Sequence, residues 1–101
     1  MAQHGEVTDW SRYDPTWLVQ LAREQVPEHP WLPSALARCT RSRWQGDAYL
    51  SFVDAQRPNE SESEWQFLEN IVLRHPVQGD LVLDILTEQR VGGVEFLSRI
   101  R

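Results

Sequence analysis

The feature that most constrains the fold of this chain is a pair of apolar, strand-like runs near its C-terminus. The runs cover residues 80–86 and 91–97, and the polar residues 87–90 separate them. Two apolar runs of this length around a short polar turn predict an antiparallel β-hairpin. Because this stretch contains no recognisable reaction centre, it predicts a fold and not an activity.

The first of these runs is apolar on much of both of its faces. Leu81, Leu83 and Ile85 alternate with Val82, Asp84 and Leu86. A strand with apolar residues on both sides is typical of the interior of a sheet. We therefore expect residues 80–86 to lie between two other strands, with an N-terminal helix packed over one side.

Two glycines, Gly92 and Gly93, lie at the start of the second run. They lack the spaced glycines, the lysine and the following helix of a phosphate-binding loop. We expect a structural role, in which the missing side chains let a bulky neighbour such as Trp44 or Trp65 approach the backbone.

Upstream of the hairpin, two further stretches have the alternation of strands. Residues 44–53 alternate between a more apolar and a more polar face, which predicts one half-buried antiparallel strand. Residues 64–73 predict a second strand if a bulge near Glu69 and Asn70 corrects its pattern. A short helix over residues 63–68 followed by a strand is an alternative, and the polar residues 54–63 predict a loop.

The N-terminal third has a helical period. Residues 1–9 are polar and predict a flexible arm, and Asp14 and Pro15 are typical of a helix start. Val26 precedes Pro27, which predicts that the helix ends there. Residues 29–33 then predict a rigid, extended connector, and residues 34–39 a second short helix.

These elements predict one α+β domain over residues 1–101. An N-terminal helix or helix pair (residues 14–40) would pack on a four-stranded antiparallel sheet (residues 44–100), connected as a meander. A chain of 101 residues is long enough for a single modest core and too short for two.

The charge of the chain is unevenly distributed. Residues 1–58 hold seven acidic residues and six arginines, a net charge of −1, whereas residues 59–101 hold eight acidic residues and four arginines, a net charge of −4. An acidic C-terminal half repels phosphate backbones, so we expect no binding of nucleic acid and an attraction for a basic partner.

The remaining composition predicts a cytoplasmic protein. No apolar run approaches the roughly 20 residues that cross a bilayer, and the N-terminus lacks a signal-peptide pattern, so no membrane contact is expected. Cys39 is the only cysteine and cannot form an internal disulfide, which agrees with a reducing compartment.

No pattern in the chain predicts catalysis or a metal site, so we expect neither an enzyme nor a cofactor. The histidines His4, His29 and His75 fall in the arm, the connector and a turn, without metal-ligand spacing. Cys39 lies among arginines that would favour its thiolate, but a small buried residue is the simpler interpretation. An enzyme would require the strand carboxylates to converge in a cleft, namely Asp47, Asp84 or Glu95.

Two features favour recognition of a partner. Glu60, Glu62 and Glu64 alternate with serine in the predicted loop. The chain also contains five tryptophans, of which Trp10, Trp31 and Trp44 fall at the edges of elements, and tryptophan is favoured at the centres of protein interfaces. We therefore expect Glu60, Glu62, Glu64, Trp31 and Trp44 to contact a partner.

The C-terminal hairpin resembles a signature found in small bacterial proteins of uncharacterised function. Their pattern is a strand with Asp, an Asp-Gly-Arg type of turn, and then alternating hydrophobic residues with Gly and Glu. Residues 84–97 follow it with Glu88-Gln89-Arg90 at the turn, which lacks the expected glycine, and Asp47-Ala48-Tyr49-Leu50 is similar to the opening strand of that family. This resemblance implies a fold and no particular activity.

The whole chain also resembles immunity proteins of contact-dependent growth inhibition systems, in its size, acidity and low cysteine content. The resemblance implies a cytoplasmic immunity protein or antitoxin that binds and neutralises a cognate toxin, which could be a basic nuclease. The alternative is a small ligand-binding or regulatory module whose pocket is lined by Trp17, Trp44 and Trp65. The oligomeric state stays open.

Overall fold

A computed structural model describes residues 9–100 of the chain as an α+β fold. The elements in chain order are β1 (Ser11–Arg12), α1 (Thr16–Gln25), α2 (Leu32–Ala37), β2 (Arg41–Gln45), β3 (Tyr49–Ser51), β4 (Phe67–His75), β5 (Gly79–Leu86), β6 (Arg90–Phe96) and a 3-10 helix (Leu97–Arg99). The predicted arm lies outside the described residues except for Asp9, and so does His4.

The strands form one antiparallel sheet in the order β1-β2-β3-β6-β5-β4. The prediction of an antiparallel sheet beneath helices is confirmed, but the predicted four strands are six. The predicted meander is wrong as well, since β3 pairs with β6 and not with β4. The fifteen residues between β3 and β4 carry the chain across the sheet, and no local pattern encodes that crossing.

The predicted strand over residues 44–53 is in fact a hairpin of β2 and β3. Trp44 pairs with Leu50 and Gln45 pairs with Tyr49. Gly46 has a φ of 76°, a left-handed conformation that glycine adopts without strain, and it reverses the chain before Asp47. Gly-Asp between two strand-like runs is the turn signal that the alternating pattern hid.

Helix α1 begins at Thr16, one residue later than its sequence predicts, with Pro15 as the N-cap, and it ends where predicted. The Asp14 carboxylate accepts hydrogen bonds from the Thr16 backbone N–H at 3.0 Å and from the Thr16 hydroxyl at 2.6 Å, which satisfies a free donor of the first turn. The last helical residue is Gln25, and Val26 follows it as the C-cap before Pro27.

The second helix begins two residues earlier than predicted, and the extended connector is wrong. Trp31 is in the right-handed helical region, and the Leu32 N–H donates to His29 O at 3.0 Å. The chain therefore turns through residues 29–31 and enters α2, with Pro33 in its first turn, where the missing N–H costs nothing.

The hydrophobic core lies between the helices and one face of the sheet. Its fully buried members come from both helices and from β3, β4, β5 and β6, and include Leu18, Leu32, Leu36, Leu50, Leu73, Leu81, Leu83, Ile85 and Val94. The expected interior strand is confirmed, because β5 lies between β4 and β6. No helix among residues 9–100 has the length and apolar character needed to cross a bilayer.

Two bulges adjust the register of the sheet. One lies in β4 between Phe67 and Glu69, one residue before the predicted position, and residues 63–66 are not helical, so the alternative helix over 63–68 is wrong. The other shifts the pairing of β5 with β6 and leaves Gly92 without a register partner in β5.

The prediction of a close approach at the glycine pair is confirmed for Trp65 and not for Trp44. A Cβ added to Gly92 would lie 2.5 Å from Trp65 Cζ3, and one added to Gly93 would lie 2.6 Å from Tyr49 Cζ. Both rings thus pack on glycine backbone.

Candidate functional site

The predicted acidic loop is present, and hydrogen bonds hold it in place. Residues 52–66 contain no helix or strand. The Asn59 N–H donates to Trp65 O at 2.8 Å, and the Asn59 side chain accepts from the Phe67 N–H at 2.9 Å. The Gln66 side-chain amide donates to Glu60 O at 2.6 Å and to Ser63 O at 3.1 Å. These contacts define one backbone conformation for the segment that carries the glutamates.

The carboxylates of this loop have no cationic partner within the described part of the chain. Glu60, Glu62 and Glu64 are all exposed. Among residues 9–100 the only ion pair within 4 Å joins Arg74 Nε to Asp80 Oδ1, at 3.8 Å, and it does not involve these glutamates. The negative charge of Glu60, Glu62 and Glu64 is therefore open to solvent and to a partner.

The two tryptophans predicted as partner contacts, Trp31 and Trp44, lie in different parts of the fold. Trp31 is half-buried at the start of α2, with its ring edge-on to His29 at 6.0 Å. Trp44 packs against the core, and its ring centroid lies 5.5 Å from that of Phe96. The Arg99 guanidinium carbon lies 5.2 Å from the Trp44 ring centroid. Neither ring lines the cavity that Glu64 borders.

Trp17, Trp44 and Trp65 do not enclose a common pocket. Trp17 and Trp44 pack against the main core, where both contact Phe96, and the Trp17 indole donates to Tyr13 Oη at 2.8 Å. Trp65 is buried outside that core, and its ring centroid lies 6.5 Å from that of Tyr49.

Of the three carboxylates predicted within strands, Asp84 forms part of a cross-strand network. The Tyr49 hydroxyl donates to one oxygen of Asp84 at 2.7 Å, and the Asn70 amide donates to the other at 2.6 Å. Burial raises the pKa of Tyr49, and the hydrogen bond to Asp84 raises it further. Glu95 is the register partner of Tyr49, whereas Asp47 lies in the β2–β3 turn, and none of these carboxylates lines a described cavity.

The thiol of Cys39 lacks the features of a nucleophile. Cys39 is buried just after α2, and not on the helix as predicted, and its Sγ lies 3.5 Å from Ala35 O. Burial raises the pKa of Cys39 from 9.0 to about 12, against the opposite effect of Arg38. The side chain is therefore a neutral thiol at physiological pH.

The described histidines are not arranged as metal ligands. His75 Nδ1 accepts from the N–H groups of Val77 and Gln78, at 3.1 and 2.9 Å, and so stabilises the β4–β5 turn. Within residues 9–100 no three side chains from His, Cys, Asp and Glu form a group that could hold a metal ion.

A cleft opens at the end of the sheet where β2 and β6 begin and β3 ends. It has a volume of about 440 Å³, and we call it the Trp10 cleft after the ring in its wall. Its charged lining residues are three arginines and two carboxylates, namely Arg38, Arg41, Arg90, Asp54 and Glu64. Phe52, Val53 and Val91 supply apolar surface. A second cavity of about 560 Å³ shares Trp10, Thr40 and Arg41 with it.

Sequence reasoning did not assemble this cleft. The sequence places Trp10 at an element edge, and it predicts for the arginines near Cys39 only an effect on the thiol. The pairing of β1 with β2 brings Trp10 beside Arg41 and Arg43, whose guanidinium carbons lie 5.7 and 4.8 Å from the ring centroid. The signal that could have indicated this cleft is a tryptophan beside two arginines at the pairing of β1 with β2. A strand of two residues is too short to show a periodic pattern, so the sequence does not predict β1 or its pairing.

Comparisons with protein-family models, with curated proteins and with solved structures find no match for this chain.

Proposed function

We propose that this protein is a cytoplasmic immunity or antitoxin-type protein that binds and neutralises a cognate toxin, with Glu60, Glu62 and Glu64 as the steering contacts. The observation that carries the proposal is that hydrogen bonds hold the loop in one conformation while its three carboxylates have no cationic partner among residues 9–100.

A fixed loop is suited to binding because little conformational entropy remains to be lost. Ordering a flexible segment during association reduces affinity, and an ordered one avoids that cost. Three exposed carboxylates on such a loop attract a basic surface over a distance and raise the association rate. A toxin that acts on nucleic acid is basic where it holds phosphate, so an acidic loop can occupy that site.

The proposal treats the protein as a binding module without an enzymatic role. Trp31 and Trp44 stay predicted contacts, and both are half-buried. The alternative, a ligand-binding module, is favoured by a cavity that borders Trp10 and not by a pocket between Trp17, Trp44 and Trp65.

The test is the association rate with a toxin domain encoded beside the gene of this protein. Replacing Glu60, Glu62 and Glu64 together with glutamine should leave the fold intact, because exposed loop substitutions usually cost within about 0.5 kcal/mol. Association should slow, and most at low salt, because steering is screened over roughly 8–10 Å at physiological ionic strength. Dissociation should change less.

A matched control variant distinguishes the effect of the loop carboxylates on the association rate from the effect of a changed net charge. Glu24, Glu28 and Glu88 are exposed and lie outside the loop, so replacing these three with glutamine changes the net charge equally. The control variant should associate much faster than the loop variant. Equal rates for both variants, a wild-type rate for the loop variant at low salt, or the lack of any neighbouring toxin gene and co-purifying toxin would contradict the proposal.

A further inference from the structure

We propose that the Trp10 cleft binds a small aromatic anion, meaning a planar ring that carries a phosphate or a carboxylate group. The cleft is distinct from the exposed carboxylates of Glu60 and Glu62, and the inference does not depend on the identity of a toxin. Its volume of about 440 Å³ falls in the range of roughly 300–1,000 Å³ that is usual for small-molecule sites.

Arg41 is the first group that favours an anion. It is exposed and lines both cavities, and its side chain has no hydrogen bond or ion pair with any residue of the described range 9–100. Its guanidinium lies 5.7 Å from the centre of the Trp10 ring, and an aromatic face restricts the orientation of a guanidinium without using its N–H donors. The Arg41 donors are therefore available to a ligand and partly oriented.

Arg90 is the second group, and it is held more firmly. Its Nε donates to Thr87 O at 3.1 Å and one terminal nitrogen donates to Glu64 O at 2.8 Å. A guanidinium has five N–H donors, so these two bonds fix the side chain in the cleft wall and leave other donors for a ligand. Both acceptors are neutral backbone carbonyls, so the positive charge of Arg90 is not cancelled by them.

The rest of the wall selects an aromatic body over a free inorganic ion. Trp10, Phe52 and Val91 line the same cavity as the arginines and would bury a flat apolar ring. Two acidic residues, Asp54 and Glu64, also line it, and a carboxylate can accept hydrogen bonds from hydroxyl or amino groups of such a ligand. They also disfavour a long polyanion, as does the net charge of −5, so a small molecule fits this wall better than a nucleic acid strand.

The experiment is a ¹H–¹⁵N NMR titration of the full chain with matched pairs of charged and neutral ligands. AMP is compared with adenosine, and benzoate with benzamide, with inorganic phosphate as a probe of the anion alone. We expect saturable shifts of the Val53, Arg90 and Val91 amides with AMP, benzoate or both, and binding about tenfold weaker for the neutral member of the pair, since one charge-assisted contact supplies about that factor. Whichever anion binds more tightly identifies the source of the anionic group.

A substitution with a charge-matched control completes the test. Arg41→Gln should weaken binding of the charged ligand about tenfold. Arg23→Gln, an exposed position on α1, should leave that binding unchanged while altering net charge equally. The ¹H–¹⁵N spectra of both variants verify their folds.

Four outcomes would overturn the proposal: no saturable shift with AMP or benzoate at millimolar concentration, equal affinity for the neutral analogues, inorganic phosphate bound as tightly as AMP, or equal effects of Arg41→Gln and Arg23→Gln. Binding of a single-stranded oligonucleotide more tightly than AMP would replace the small ligand with nucleic acid and overturn it as well.

Discussion

Replacing Gly93 with valine tests the packing of the sheet face that carries Tyr49. A Cβ at this position would lie 2.6 Å from Tyr49 Cζ and 2.7 Å from the backbone oxygen of Leu50, whereas carbon atoms pack best at about 3.5–4.0 Å. The Leu50 carbonyl belongs to β3, which is paired on both sides, so it cannot rotate away. The Tyr49 ring can move, but only if its hydroxyl leaves Asp84.

The magnitude follows from these two effects. Overpacking of a filled site costs about 1–3 kcal/mol, and a hydrogen bond to a charged group contributes about 1.5–3 kcal/mol when it is buried. Tyr49 is half-buried, so water offsets part of the second effect. We expect Gly93→Val to lower the free energy of unfolding by about 2–4 kcal/mol in urea denaturation, and the melting temperature by roughly 10–25 °C for a domain of this size.

A double-mutant cycle with Tyr49→Ala is the control. Removing the ring removes the clash with Tyr49 and leaves the clash with Leu50 O. Gly93→Val should therefore lower the free energy of unfolding by about 1 kcal/mol less in the Tyr49→Ala background, a coupling energy within the range for neighbouring residues. A melting temperature of Gly93→Val equal to that of the wild type would refute the close packing. An equal penalty in both backgrounds would refute the role of the Tyr49 ring.

Three further predictions concern an edge strand, a turn and the buried thiol. The Gln25 side chain donates to Arg74 O at 2.5 Å and accepts from the Arg74 N–H at 2.7 Å, so it covers the outer edge of β4. Gln25→Ala should lower the free energy of unfolding by about 1–2 kcal/mol and increase self-association in sedimentation velocity, because it exposes an edge strand. A stable monomer would contradict this. Glu88 and Gln89 have φ values of 66° and 56°, which are strained for these residues and are adopted readily by asparagine and glycine. The double substitution Glu88→Asn with Gln89→Gly should therefore raise the free energy of unfolding by about 1–2 kcal/mol in urea denaturation. No gain would show that the turn is unstrained. Because burial raises the pKa of Cys39 from 9.0 to about 12, the folded state retains a proton that the unfolded state loses, so the free energy of unfolding should fall as the pH rises from 9 towards 12. Cys39→Ala should show a smaller fall over the same range in urea titrations, and parallel curves would contradict the assignment.

The amino-acid sequence determined those parts of the structure that depend on neighbouring residues. The helical stripe of α1 and its end before Pro27, the bulge in β4, and the interior position of β5 all follow from local period, from proline geometry or from apolar content on two faces. The exposed acidic loop was predictable for the same reason, since polar residues around a turn cannot supply a core.

The strand order and the Trp10 cleft were decided only by the tertiary structure. Pairing of β3 with β6 depends on residues that are distant along the chain, and so does the presence of Arg90 in the same cleft as Arg41 and Trp10. The net charge of each half of the chain likewise says little about surfaces, because the fold brings Arg41 from the first half together with Glu64 from the second. Periodicity indicates which side of an element is buried, but it does not indicate which distant element covers that side. The Trp10 cleft is formed by contacts between such distant elements.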